Sequence, residues 1–231
     1  MIQSTRIWSV IALFVLAAAC VPSEKTDDPK DAGAATSLPP ASVLISHGVA
    51  DYDAWKVAFD EHVQARRDAS CLGHYLKRGV DDTDMVYVYC LATDSDKLRE
   101  FFDRADLAEA MKRAGVEGAP EIRLMKPMSR NLVAEQRLPG IIVIHPVEDY
   151  DSWRVVYDEL DDFRRKSGIV GHAVSRDLDN PNQVVVYHQA NNLADLHTFV
   201  DSVALQDAMK RAGVVGDPEV RFIRVVDFAS Y

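Results

Sequence analysis

Positive charge is in short supply in this chain. Aspartate and glutamate number 36 against 26 lysines and arginines, a formal net charge of −10, and the basic residues are interleaved with acids. That pattern excludes a nucleic-acid partner, which needs clustered Lys and Arg to neutralise phosphates. The dipeptides Arg66-Arg67 and Lys112-Arg113 accordingly read as solvated helix faces. Cysteine is scarce too, three residues in all, with no Cys-x-x-Cys pair. Histidines never recur at the His-x-His or His-x-x-x-His spacing of metal ligands, so no metal site is expected. Also missing are a glycine-rich phosphate loop and a Gly-x-Ser-x-Gly nucleophile elbow, and no cofactor is expected. No apolar run reaches the ~18 residues of a membrane helix.

What is present begins with an address. Residues 1–19 hold one charge, Arg6, then the apolar run IWSVIALFVL and three alanines before Cys20, the layout of a signal peptide. Ala17-Ala18-Ala19-Cys20 resembles the bacterial lipobox, with the usual leucine one place early at Leu16. The resemblance implies cleavage before Cys20, acylation of its sulfur and attachment to a lipid bilayer outside the cytoplasm; more than one acyl chain makes that anchor firm. Val21 follows where an aspartate would signal retention at an inner membrane, so the outer membrane of a bacterial envelope is the expected destination. Residues 20–41, rich in Pro, Ser, Thr, Ala and charge without an apolar period, read as a flexible tether.

The remainder is written twice. VLISHGVADYDAW from Val43 to Trp55 returns as IIVIHPVEDYDSW from Ile141 to Trp153, and an offset of 98 pairs the copies without a gap from Val43 to Lys126. Val43–His47 and Ile141–His145 are short β-branched runs that read as buried strands. A helix follows, capped by Asp51 or Asp149. Its inward stripe is Trp153, Val156, Tyr157 and Leu160 in the second copy and Trp55, Ala58, Phe59 and His62 in the first. Two strand-like runs flank a turn, GVDDTD or DLDNPN, which makes a hairpin; a second helical stretch closes at Gly115 or Gly213, and a last strand opens at Pro-Glu-Ile or Pro-Glu-Val.

Strand, helix, hairpin, helix, strand is a ferredoxin-like βαββαβ unit. The expected fold class is α+β: unit one at 42–128, a connector at 129–140 and unit two at 141–231. Helices cover only one face of each sheet, so the two open faces must cover each other. One chain then forms a pseudo-twofold barrel, and a monomeric body is expected.

The DYDAW and DYDSW starts, DNPNQVVVY after the hairpin and the AMKRAGVVGDPEV ending resemble the antibiotic biosynthesis monooxygenase-like, dimeric α+β barrel superfamily, in its uncharacterised cyclase-like branch. The likeness spans both repeats. It implies a barrel usually assembled from two chains, and a range of functions from cofactor-independent monooxygenases and polyketide cyclases to haem enzymes and non-catalytic proteins. No catalytic motif of the monooxygenases can be placed on this chain, and fold alone does not carry function.

Polar residues repeated on the strands are the candidate ligand-binding set: His47 and His145, His74 and His172, Arg78 and Arg176, Tyr89 and Tyr187. The parallel first and second strands bring His47 level with Arg78, and His74 is expected to join Tyr89 at the other end. Such clusters suit recognition of an anionic or carbonyl-bearing ligand; they equally suit residues that hold turns and strand edges. His62, on an inward stripe where its twin is Leu160, adds a candidate peculiar to unit one. Trp55 and Trp153 read as core anchors. Cys71 and Cys90 occur only in unit one, and a hairpin folded around residues 80 and 81 sets them opposite each other within disulfide reach; a one-residue slip would send them to opposite faces. The expected function is binding of a small apolar or aromatic ligand between sheet and helices. A cofactor-independent monooxygenase or cyclase and an envelope interaction module without a pocket are the alternatives. A cavity lined by His62, His74 or Tyr89 with convergent polar groups would separate the first two.

Overall fold

The computed structural model describes residues 37–134 and 136–231. The expected signal peptide, Cys20 and the expected tether up to residue 36 lie outside the described residues. Unit one runs β1 (Ala41–Val49), α1 (Tyr52–Glu61), α2 (Val63–Asp68), β2 (Gly73–Gly79), β3 (Met85–Ala92), α3 (Ser95–Phe102), α4 (Ala105–Arg113) and β4 (Val116–Asn131). Unit two repeats it: β5 (Pro139–Pro146), α5 (Tyr150–Glu159), α6 (Asp161–Lys166), β6 (Ile169–Asp177), β7 (Gln183–Ala190), α7 (Leu193–Val200), α8 (Val203–Arg211) and β8 (Glu219–Ser230). The ends differ a little from the expected boundaries, since β1 takes in Ala41 and β4 runs on to Asn131. Among the described residues no helix is long and apolar enough to cross a membrane.

The carboxylate caps form where the sequence places them. Asp51 accepts from the amides of Asp53 and Ala54 at 2.9 and 3.0 Å, and Asp149 from Ser152 at 2.8 Å, tying up amides that a helix start leaves free. The first helix does not run straight through, however. It breaks at His62 in unit one and at Leu160 in unit two, and α2 or α6 resumes beyond. The break turns His62 off the inward stripe: it is exposed, its Nδ1 2.7 Å from the Ala58 carbonyl.

All eight strands join one closed, wholly antiparallel sheet in the order β1-β3-β2-β8-β5-β7-β6-β4. The two units are sewn together by their last strands. The first part of β4 pairs with β1 and its end with β6, while β8 pairs first with β5 and then with β2. Closure leaves no unpaired sheet edge.

Strand alternation then sorts residues into two environments. Val43, Ile45, Leu76, Val86 and Val88 face the helices with Trp55, Leu98 and Phe101, and unit two buries Val174, Val184, Trp153, Leu196 and Phe199 in the same way. Leu44, Tyr87, Met125, Ile142, Val185 and Ile223 fill the inside of the barrel. Leu98 and Leu196 are fully buried, each contributing about 2–3 kcal/mol of transfer free energy. Gly140 must be glycine, because a Cβ there would lie 2.5 Å from the Tyr187 ring and 2.7 Å from the His188 carbonyl.

Candidate functional site

The repeated polar residues separate into holders of the fold and groups facing hollows. Arg78 and Arg176 are holders. Arg78 Nε donates to the Thr83 carbonyl at 2.7 Å with its guanidinium 4.2 Å from the Tyr52 ring centre; Arg176 Nε donates to the Pro181 carbonyl at 2.6 Å and lies 3.8 Å from the Tyr150 ring. Each clamps a hairpin turn to the first helix. His47 does stand level with Arg78, both opposite Val86, but its ring packs on Trp55 at 5.5 Å.

His74 and Tyr89 do not meet. Tyr75, not His74, is opposite Tyr89, so alternation sends His74 towards the helices and Tyr89 into the barrel. His74 Nδ1 lies 2.9 Å from the Tyr231 hydroxyl and Nε2 3.4 Å from Asp227. His172 Nδ1 lies 3.0 Å from the Tyr157 hydroxyl, with Nε2 3.7 Å from Asp161. Arg66 is no solvated residue: it is 7% exposed, and its twin Arg164 is 2% exposed.

The expected bridge between Cys71 and Cys90 is absent. Both are free and buried. Tyr75 opposite Tyr89 centres the hairpin on Asp82, later than residues 80 and 81, and Cys71 pairs with Ala92. Cys90 is thus a diagonal neighbour of Cys71 on the same face, and diagonal pairs sit about 7–8 Å apart, beyond ordinary disulfide span. The influence of each thiol on the other lowers the Cys71 pKa and raises that of Cys90.

Each unit keeps a hollow between sheet and helices, and the two differ in chemistry. Unit one's, about 80 Å³, is lined by His47, Trp55, Phe59, Arg66, Cys71 and Cys90 among others. His62 lies at its rim, whereas His74 and Tyr89 do not line it. Its polar groups are provided for. The Nδ1–H of His47 donates to the Gly48 carbonyl at 3.2 Å, and Arg66 donates to the Phe59 carbonyl and the Tyr231 hydroxyl.

Unit two's hollow, about 60 Å³ and open on one side, is lined by His145, Trp153, Tyr157, Arg164, His188 and Phe199 among others. Here both ring nitrogens of His145, both of His188 and the Nε of Arg164 are buried without a partner among the described residues. Two changes accompany this: His188 replaces Cys90, and Val133 stands at the position equivalent to Tyr231, whose hydroxyl serves Arg66. Burial pushes His145 down to about 4 and His188 well below its ordinary value. Both are neutral at pH 7, each with one nitrogen that donates and one that accepts. Arg164, 4.1 Å from the Tyr157 ring centre, is the fixed charge beside them.

A third cavity, about 50 Å³, lies inside the barrel. Tyr89 and Tyr187 line it, and with them Lys77, which the sequence reading passed over. The signal was there: in β2, His74, Leu76 and Arg78 share one face and Tyr75 and Lys77 the other. Among the described residues, no cluster of three His, Cys, Asp or Glu side chains is placed to hold a metal ion.

No protein-family model and no curated protein sequence matches the chain. Solved structures do. An anthrone oxidase-like protein superposes with a TM-score of 0.62 at 12% identity, over 83% of this chain and 93% of its own. A monooxygenase-like protein from Listeria innocua gives 0.53 at 9%, over 83% and 96%. An uncharacterized ferredoxin-fold protein related to antibiotic biosynthesis monooxygenases, from Listeria monocytogenes, gives 0.51 at 8%, over 82% and 96%. At such identities the likeness is one of fold, and the chain has the dimeric α+β barrel fold of the antibiotic biosynthesis monooxygenase-like proteins.

Proposed function

We propose that unit two binds a small, flat, mostly apolar molecule bearing at least one hydrogen-bonding oxygen, in the hollow between its sheet and its helices. The observation that carries this reading is the pair His145 and His188, which line one apolar hollow and whose four ring nitrogens are buried without a partner among the described residues. A buried polar atom left alone costs about 1–3 kcal/mol; a phenol relieves that cost by donating to one ring and accepting from the other, and a carbonyl compound relieves part of it by accepting from one ring's N–H. The hollow is smaller than the roughly 150 Å³ that encloses a benzene ring, which favours a single ring seated partly outside over a polycycle. Binding is favoured over proton abstraction, because an imidazole titrating at about 4 is a weak base at neutral pH. The hollow of unit one, with its polar atoms already paired, serves as core.

The same reading carries the lipobox expectation forward: a body anchored through acylated Cys20 and a tether to the outer membrane of a bacterial envelope. Incorporation of labelled palmitate, lost in Cys20→Ser, tests the anchor. For the ligand site, the full chain is titrated with p-cresol while the fluorescence of Trp153, 5.8 Å from the His145 ring, is followed. Saturable quenching, weakened roughly tenfold by His188→Leu or His145→Leu, is expected. Quenching unchanged in both variants, or perturbed instead by changes at Cys90, places the ligand elsewhere.

A further inference from the structure

The barrel cavity is chemically independent of the hollow in unit two. Its wall carries an amine: Lys77 is 5% exposed and forms no hydrogen bond or ion pair among the described residues. Its Nζ sits among aromatic faces, 5.1 Å from the ring centre of Tyr187, 5.2 Å from Tyr89 and 5.9 Å from Tyr75. Arg130 lines the same cavity. One of its Nη atoms donates to the Tyr75 hydroxyl at 2.8 Å, while its Nε is buried and unpartnered, as is the Tyr187 hydroxyl. No carboxylate is found among the described residues that line the space. Two basic groups therefore share a small, largely apolar cavity inside an acidic protein, with no carboxylate opposite them among the described residues.

We propose that Lys77 captures a short 2-oxo acid as a reversible imine inside the barrel, with Arg130 receiving the carboxylate. The nitrogen lone pair of Lys77 attacks the keto carbon, the C–N bond forms, and the carbonyl oxygen takes a proton to give a carbinolamine. That hydroxyl takes the second hydrogen of the original amine, relayed by Tyr187, and leaves as water while C=N forms. The amine's two hydrogens and the keto oxygen account for the single water released, and no oxidant or reductant is consumed. At roughly 10–15 Å³ per water the cavity of about 50 Å³ holds about three to five heavy atoms, the upper end of which matches the five that pyruvate keeps in the imine. Reactivity agrees as well. Burial lowers the Lys77 pKa to about 7, which leaves about half the amine neutral at neutral pH, where an exposed lysine is neutral to about one part in a few thousand.

The full chain, incubated with pyruvate and sodium cyanoborohydride, should carry the reduced adduct on Lys77 at roughly ten times or more the level on surface lysines such as Lys97 and Lys112, read by peptide mass mapping. Adduct spread over the lysines according to exposure, or none at all, overturns the proposal without the need for any variant. Arg130→Gln should lower Lys77 labelling by pyruvate roughly fivefold more than it lowers labelling by acetone, which has no carboxylate; equal changes for the two would remove the carboxylate assignment.

Discussion

Units one and two share a backbone plan, and the contrast between them lies in a few side chains beneath the helices. In unit one the closing strand of the other unit delivers Tyr231, whose hydroxyl meets both Arg66 and His74. In unit two Val133, just past the matching strand, takes that place, and the Nε of Arg164 has no partner among the described residues. Cys90 is a compact thiol with a thiol neighbour; its twin His188 is a larger ring with none. Sequence repetition thus preserves architecture while polar satisfaction diverges, and it is the divergence, more than the repeated residues, on which the proposed ligand site of unit two rests.

Acid should separate the units most strongly. The unfolded chain takes up an imidazole proton below about 6.5, whereas folded His145 does not until about 4. The stability this neutral residue permits is intact above 6.5 and falls as pH drops towards 4, by roughly 3 kcal/mol from His145 alone. His188 acts in the same direction. Denaturant midpoints at pH 7 and pH 4.5 should therefore lie well apart, and closer together in His145→Leu/His188→Leu; equal pH dependence in that variant would assign the acid sensitivity to other groups.

Exchanging the twins comes next. Cys90→His introduces an unpartnered imidazole into unit one and should cost about 2 kcal/mol, while His188→Cys should gain about 1 kcal/mol after some packing is lost. Chemical denaturation that shows both changes near zero would mean the units tolerate either residue equally. Tyr231→Phe withdraws one hydroxyl from Arg66 and His74 and should destabilise by about 1–2 kcal/mol, where Val133→Phe in unit two should leave the equivalent arginine no worse paired. At the small end, His62→Leu should shift stability by less than about 0.5 kcal/mol, since His62 lies outside the core; a larger effect would restore it to the inward stripe.

The architecture was legible because it rests on local signals repeated twice: Asp51 and Asp149 as caps, the tryptophan one turn later, the hairpin turns. Which strands close the barrel was not legible, since β4 and β8 each serve both units and no short-range pattern records a partner more than 40 residues away. Site residues followed the same division. The level of His47 and Arg78 came from strand geometry and held, whereas the pairing of His74 with Tyr89 assumed a shared face, which the Tyr75–Tyr89 register denies. A helix break invisible in the apolar period moved His62 outward. Arg66 was read as solvated because long cations usually are, and only the aromatic ring of Phe59, 3.7 Å from its guanidinium carbon, and the distant Tyr231 make its burial tolerable. Lys77 escaped notice because it occurs once, with Ser175 as its counterpart.

Joining the halves in one polypeptide frees the barrel interior from duplication. Were the same sheet built by two identical subunits, every lumen substitution would appear twice, and a lysine at position 77 would meet its own copy across the axis: two desolvated amines where one is already costly. Covalent linkage lets Lys77 be matched in the repeat by Ser175, Tyr75 by Ala173 and Arg130 by Phe228, so a tandem gene can explore asymmetric interiors that a homodimer is barred from reaching.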